Sequence, residues 1–278
     1  MTASSDLVAA AVREWLVNAP HPLVLGICGS QGSGKSTLAR ALEQTLGEDG
    51  LSIASLSLDD LYLGTQARRK LAAEVHPLFA TRGVPGTHDL ELGLSVIQAV
   101  RDGKAVALPR FDKASDEPLP RDAWPMAPQG LDVLIFEGWC VGARPEAVEA
   151  LSGPVNALER EEDGDGRWRR AVNDFLAGPY QALFEQIDRL VFLAAPGFEV
   201  VHGWRLQQER DLRESLKAQG RDPALAMTDE QISRFISHYE RITRHILHSM
   251  PSQAALTLRL GRDREIIGIA ASAGLSSS

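Results

Sequence analysis

A doubly wound α/β fold, with a mainly parallel sheet and helices on both faces, is what this sequence predicts, and three features carry the prediction. Short apolar runs recur at residues 23–28, 51–58, 133–136 and 189–194, the pattern of strands buried on both faces. Segments of helical periodicity separate them, as parallel strands need for their crossovers. The first run also passes directly into a glycine-rich turn and then a helix.

In chain order, Leu7, Ala10, Val12 and Leu16 stand at helical spacing over residues 6–17, and residues 19–22, with Pro20 and Pro22, break that helix. Residues 23–28 read as a buried parallel strand. Residues 35–46 are rich in helix formers and stop at Gly47; residues 51–58 form the next strand, completing a βαβ unit with a right-handed crossover. Residues 62–88 are irregular, with Gly64, Pro77, Gly83, Pro85 and Gly86, and read as a substrate-side insertion with a short helix over 66–75. Asp89 is a plausible N-cap for a helix over 89–100; short strands follow at 106–108 and 133–136. Residues 152–170 mix glycine, proline and alternating charge, which predicts a solvent-exposed excursion. Beyond it come a helix over 168–187 interrupted at Gly178–Pro179, a strand at 189–194, long helices over 198–218 and 228–249, and a last or edge strand at 254–260.

At 278 residues and 44% hydrophobic composition, the chain is long enough for one large-cored domain, 1–278, with insertions. The formal net charge of -8 provides no global positive field, so nucleic acid and anionic membrane are not expected partners and an anionic ligand must be held in a pocket. The N-terminal segment lacks a basic region before its apolar residues, and no apolar run reaches the roughly 18 residues that span a bilayer, so a cytoplasmic protein is expected. Cys28 and Cys140 sit in or beside strand-like runs and read as buried thiols.

Residues Gly29, Ser30, Gln31, Gly32, Ser33, Gly34, Lys35 and Ser36 fit GxxxxGK[ST] without a mismatch, between a predicted strand and a predicted helix. This P-loop implies bound ATP with Mg²⁺. Backbone N–H groups and the helix N-terminus cradle the phosphates, Lys35 reaches the β- and γ-phosphates, Ser36 can ligate the metal, and Thr37 continues the site. No Asn-Lys-x-Asp guanine-reading segment is present, which lowers a GTPase reading.

The second strand ends in Ser57-Leu58-Asp59-Asp60-Leu61-Tyr62. Parallel strands gather their C-terminal ends around the phosphates, so a carboxylate here can orient an acceptor hydroxyl and take its proton. Asp59 is the favoured base; Asp60 is an alternate or a ligand to metal-bound water, and either can instead cap the next turn. The run 131–138 ends in Glu137, the pattern of a Walker B strand, whose carboxylate binds Mg²⁺ through water or holds substrate hydroxyls.

SLDDLY and the FEGW of residues 136–139 resemble the uridine kinase, phosphoribulokinase and pantothenate kinase branch of P-loop kinases. Three more segments, RGVPGTHD at 82–89, LPRFDK at 108–113 and WRLQQE at 204–209, resemble the D-glycerate 3-kinase family, in order from about residue 22 to residue 250. The resemblance implies transfer of the ATP γ-phosphoryl group to the 3-hydroxyl of D-glycerate, with Mg²⁺. For such an acceptor, Arg82 or Arg110 can fork onto the carboxylate, and His88, Asp89, Asp60 and Tyr62 can meet the hydroxyls. Pantothenate-kinase-like relatives place the Asp matching Asp89 near the reacting hydroxyl, so Asp89 is a second candidate base. The family also implies that the helix over 198–220 is a lid whose Arg205, and less directly Arg213, meets the phosphates, although Arg205, Glu209 and Arg213 stand at a spacing that also pairs within a helix. Arg234, His238, Arg241, Arg244, His245 and His248 form a basic face, read as solvated or acid-paired. A nucleoside, pantothenate or another polyol is the alternative acceptor, and an ATP-binding scaffold the alternative to an enzyme.

Overall fold

The computed structural model describes residues 2–218, 220, 222 and 227–272. Strands β1 (Leu23–Gly29), β2 (Ile53–Ser57), β7 (Val133–Gly138), β8 (Arg189–Ala194), β9 (Leu256–Leu260) and β10 (Ile266–Ala271) form one sheet in the order β10-β9-β8-β1-β7-β2. All neighbours pair in parallel except β9 and β10, which form an antiparallel hairpin at the edge.

Every residue of β1 and β7 is buried, and alternate side chains feed two apolar layers. Leu23, Leu25, Ile27, Val133 and Ile135 pack against α1 (Thr2–Leu16), α2 (Lys35–Glu48) and α8 (Phe198–Ala218) through Val8, Leu38, Leu42 and Val201. On the opposite face Val24, Leu134 and Phe136 meet Ile97 of α4 (Leu90–Arg101) and Leu183 of α7 (Pro179–Phe184). Helices on both faces of a mainly parallel sheet make the doubly wound class.

The βαβ unit is present, but β7 is inserted between β1 and β2. The register matters for the site: Glu137 lies opposite both Ile27 and Ser57. The C-terminal ends of three strands therefore bring the P-loop, Glu137 and Asp59 to one edge.

The insertion carries α3 (Thr65–Glu74) and a 3-10 turn, Pro77–Ala80. Four two-residue strands, missing from the expected elements apart from the first, form two small antiparallel pairs: β3 (Val106–Ala107) with β6 (Met126–Ala127), and β4 (Phe111–Asp112) with β5 (Glu117–Pro118).

Two expectations are corrected. Residues 152–170 are only in part a solvated excursion: most are exposed, but they hold α5 (Ala157–Glu162) and the start of α6 (Arg167–Ala177), and Leu158, Glu159, Asp163, Trp168 and Arg169 are buried. Asp163 accepts from the Trp168 and Arg169 backbone N–H groups and pairs with the Arg169 guanidinium at 2.9 Å. Glu159 binds Arg241 through both oxygens at 2.7 Å, and Glu162 pairs with Arg234. The alternating charge thus encodes partners some eighty residues away, on the basic face read separately above. The helix expected over 228–249 is two, α9 (Asp229–Ser237) and α10 (Glu240–Ser249); the break turns Tyr239 inward, where its hydroxyl donates to Arg82 O at 3.0 Å.

Candidate active site

Gly32 and Gly34 adopt φ of 78° and 93°, the left-handed region glycine tolerates. At Gly32 a Cβ would also lie 2.6 Å from Trp204 Cβ, so α8 sits directly on the loop. Gly34 precedes α2 with no side-chain cap, leaving the helix N-terminus to an anion. The Ser30 and Ser33 hydroxyls and the Gln31 side-chain carbonyl are buried without hydrogen-bond partners, and Thr37 is half-buried in the first turn of α2.

Ser36 Oγ donates to Glu137 Oε1 at 3.0 Å, while Glu137 Oε2 is buried with no hydrogen-bond partner. A hydroxyl beside an unpartnered carboxylate oxygen fits a hard cation. Among the described residues no three His, Cys, Asp or Glu side chains gather to hold a metal. One hydroxyl and one carboxylate are the kind of protein ligands that Mg²⁺ takes, since it completes its shell with water and phosphate oxygens.

Lys35, Ser36, Asp59, Arg82, Glu137 and Arg205 line one cleft of about 950 Å³. Asp59 accepts from the Tyr62 hydroxyl at 2.7 Å and from Lys113 Nζ at 2.6 Å. Burial alone would push its carboxyl up, but Lys113 and Lys35 outweigh it and hold Asp59 well below the usual carboxylate range. Tyr62 is shifted the other way, upward, by burial and by Asp59, and stays a donor. Asp59 is thus an ionised carboxylate aimed by Tyr62 into the cleft that Lys35 enters.

His88 lies behind Tyr62, ring centroids 4.7 Å apart, with Nδ1 2.5 Å from the Tyr180 hydroxyl. Burial lowers its pKa to about 3, so it is a neutral packing partner and does not line the cleft. Asp60, Asp89 and Arg110 are not brought to the P-loop either. Asp89 Oδ1 accepts from Leu92 N at 3.0 Å, capping α4, and Asp89 and Asp60 line a separate hollow with Arg121 and Trp124. Arg110 pairs with Asp60 at 3.3 Å, and Asp60 also accepts from Phe111 N, which ties β4 to the turn after β2. Asp60 is shifted upward by burial, against the pull of Arg110.

The RGVPGTHD segment is chiefly a scaffold for Arg82. Thr87 Oγ1 accepts from Gly83 N and donates to Val84 O, the Trp139 indole N–H donates to Gly83 O, and the Tyr180 hydroxyl accepts from Gly86 N. Gly83, at φ 128°, lies under Tyr239, where a Cβ would meet the hydroxyl oxygen. Arg82 emerges paired with Asp116 and stacked over Phe111.

On α8, Arg205 lines the cleft but pairs with Glu209 at 2.6 Å, and Glu209 also accepts from Met227 N. Arg213 donates to Met227 O at 2.7 Å, at the margin of the cleft, and does not itself line it. Residue 219, inside the expected lid, lies outside the described residues.

Four contributors escaped the sequence. Lys113 was visible only as part of LPRFDK, and neither the buried Arg68 nor the partly exposed Asp116 carries a motif. Arg264, on the β9–β10 turn, donates to Gly32 O at 2.6 Å and lies over the Trp204 ring, pinning the P-loop to α8 from 232 residues away.

A phosphate-cradling loop, a metal-competent Ser–Glu pair and an ionised carboxylate in one cleft of a doubly wound sheet define a P-loop phosphotransferase. The Phosphoribulokinase / Uridine kinase family model matches residues 24–150, and the chain belongs to this family. It is 35% identical over 254 residues to an uncharacterized kinase of Schizosaccharomyces pombe, mug58, covering 85% of this chain and 86% of the relative. The chloroplastic D-glycerate 3-kinase of Arabidopsis thaliana is 29% identical over 78% of this chain, which spans 46% of that relative. The structure of D-glycerate 3-kinase from Cryptococcus neoformans superposes with a TM-score of 0.79 at 27% identity, over 97% of this chain and 99% of that one. Among the described residues no helix is long and apolar enough to cross a membrane.

Proposed function

We propose that the protein is an ATP-dependent kinase that phosphorylates the 3-hydroxyl of D-glycerate, giving 3-phosphoglycerate and ADP. The observation that carries the reading is that an ionised carboxylate, Asp59, and a guanidinium, Arg82, share the cleft of the P-loop lysine. A small hydroxy acid needs both: Arg82 to fork onto its carboxylate and Asp59 to accept its hydroxyl. The similarity to two D-glycerate 3-kinases supports the same acceptor.

In this reading the P-loop backbone and Lys35 hold the triphosphate, and Ser36 and Glu137 would hold Mg²⁺, which when bound draws charge from the phosphate oxygens. Asp59 orients the 3-hydroxyl in line with the γ-phosphorus. The hydroxyl oxygen bonds to phosphorus as the bond to the β,γ-bridging oxygen breaks, ADP leaves, and Asp59 accepts the proton. Arg205 of α8 adds positive charge near the transferred group once it leaves Glu209.

The test is ADP release by the purified protein with MgATP and D-glycerate, L-glycerate, uridine, pantothenate or glycerol, with product position read by NMR. Stimulation by D-glycerate with phosphate on the 3-oxygen is expected. Turnover of another acceptor alone would overturn the acceptor, and ATP binding without any stimulated release would return the protein to a nucleotide-binding scaffold.

A further inference from the structure

The tip of the β4–β5 hairpin, residues 113–116, places two charged side chains in the cleft, each on a group that the proposed acceptor would use. Lys113 sits on Asp59. Asp116 bridges two arginines, Oδ2 to Arg68 Nη2 at 2.5 Å and Oδ1 to Arg82.

The two halves of that bridge differ. Arg68 is 2% exposed and also donates to Leu63 O, Ala80 O and Asp116 O, so it is a fixed anchor. Thr65 Oγ1 donates to Asp116 O, and Asp112 accepts from Ala114 N and Ser115 N. Together these hold Asp116 at φ 61°, a conformation non-glycine residues seldom adopt without support. The contact to Arg82 is partly open, with side-chain exposures of 23% and 37%, and the Lys113 ammonium is 59% exposed. Ion pairs open to solvent in this way are weak and readily exchanged.

We propose that Asp116 is an acceptor-specificity residue whose carboxylate occupies, on Arg82, the place that the acceptor's own carboxylate takes, while Lys113 occupies the acceptor hydroxyl's place at Asp59. The proposal rests on the D-glycerate reading. A compound with both a carboxylate and a hydroxyl replaces both pairs at once, and Asp116 keeps Arg68. A neutral polyol leaves Asp116 on Arg82, and an uncharged face of a nucleoside cannot compete for it. The hairpin tip thereby selects small hydroxy acids, because only a carboxylate matches the charge of the Asp116 side chain that it displaces from Arg82, while the hydroxyl takes over the donor position of Lys113 at Asp59.

The test is calorimetric titration of wild type and Asp116→Asn with D-glycerate and with D-lactate, which keeps the carboxylate and 2-hydroxyl but lacks the 3-hydroxyl, in the presence of a non-hydrolysable ATP analogue. Asn retains an acceptor for Arg68 but loses the charge that competes at Arg82. Both acids should bind the variant about two- to fivefold more tightly, the gain expected from removing one partly exposed ion pair. Affinity for the ATP analogue should stay unchanged. If Asp116 serves only to orient Arg82, the acids bind the variant more weakly; weaker or unchanged binding overturns the proposal. Asp116→Ser replaces Asn if the melting curve shows that the first variant does not fold. D-glycerate binding to neither protein would overturn the functional reading and this proposal together, whereas normal wild-type binding with no gain in the variant overturns this proposal alone.

Discussion

Replacing Asp59 by Asn separates chemistry from binding and from folding. The substitution keeps the shape and an oxygen for the Tyr62 hydroxyl, now 2.7 Å away, but removes the charge. The Lys113 pair it breaks is partly exposed and, screened by solvent, contributes about 0–1 kcal/mol. The Tyr62 bond weakens from a charged to a neutral acceptor, a further change of about 1 kcal/mol. Stability should therefore fall by about 1–2 kcal/mol, a shift in Tm of a few degrees. Removal of a carboxylate that accepts the hydroxyl proton in the transition state costs far more, about 10²–10⁴ in rate, or about 3–5 kcal/mol. Steady-state ADP release with D-glycerate should show that loss in kcat, while displacement of a fluorescent nucleotide reports unchanged MgATP affinity. Because Lys113 and Lys35 keep Asp59 ionised, wild-type kcat/KM should carry no acid limb from this group within the usual carboxylate range. Full activity in the Asn variant, or a loss confined to MgATP affinity, would refute the assignment of the base.

Other variants probe the neighbouring assignments. Glu137→Gln keeps the acceptor for Ser36 but not the charge on the unpartnered oxygen, and should raise the Mg²⁺ concentration for half-maximal rate about 10–100-fold in a metal titration. Asp89→Ala removes a helix cap and should cost about 1 kcal/mol in a denaturant melt with turnover unaltered; lost turnover at unchanged stability would restore Asp89 as a base. Arg264→Gln should raise KM for ATP about tenfold through the loosened Gly32 carbonyl, without changing KM for the acceptor. His88 titrates near 6.5 unfolded and only near 3 folded, so the unfolded chain binds the proton first and stability falls as pH drops below about 6.5. His88→Asn should flatten that slope between about pH 6.5 and pH 5.5, above the range in which ordinary carboxylates take up protons; His238 and His245, lowered in the same direction, leave a remainder, and an unchanged slope in pH-dependent melts would exclude His88 as its source.

Local information in the chain determined a good deal. Buried strands announce themselves as apolar runs, and the P-loop is contiguous because one turn must supply all its N–H groups; strand ends at Asp59 and Glu137 followed from both. Tertiary structure decided what depends on residues far apart in the chain. Asp59 and Asp60 are adjacent and chemically alike, yet one faces Lys113 and the other Arg110, because the turn after β2 sends consecutive side chains to opposite sides. RGVPGTHD looked like a row of substrate ligands, but glycine conformations and hydroxyl-to-backbone bonds make it chiefly a mount for Arg82, with His88 packed on Tyr62 and Asp89 capping α4. The charged stretch at 152–170 read as solvated because its partners, Arg234 and Arg241, lie in another helix pair. Electrostatic pairing acts through space over a few ångströms, and sequence distance carries no record of it. That is why the chemistry of the phosphate side was readable from the chain, whereas on the opposite wall of the cleft the choice of Arg82 over Arg110, and the pairing of Arg82 with Asp116 and of Asp59 with Lys113, were decided only by the fold.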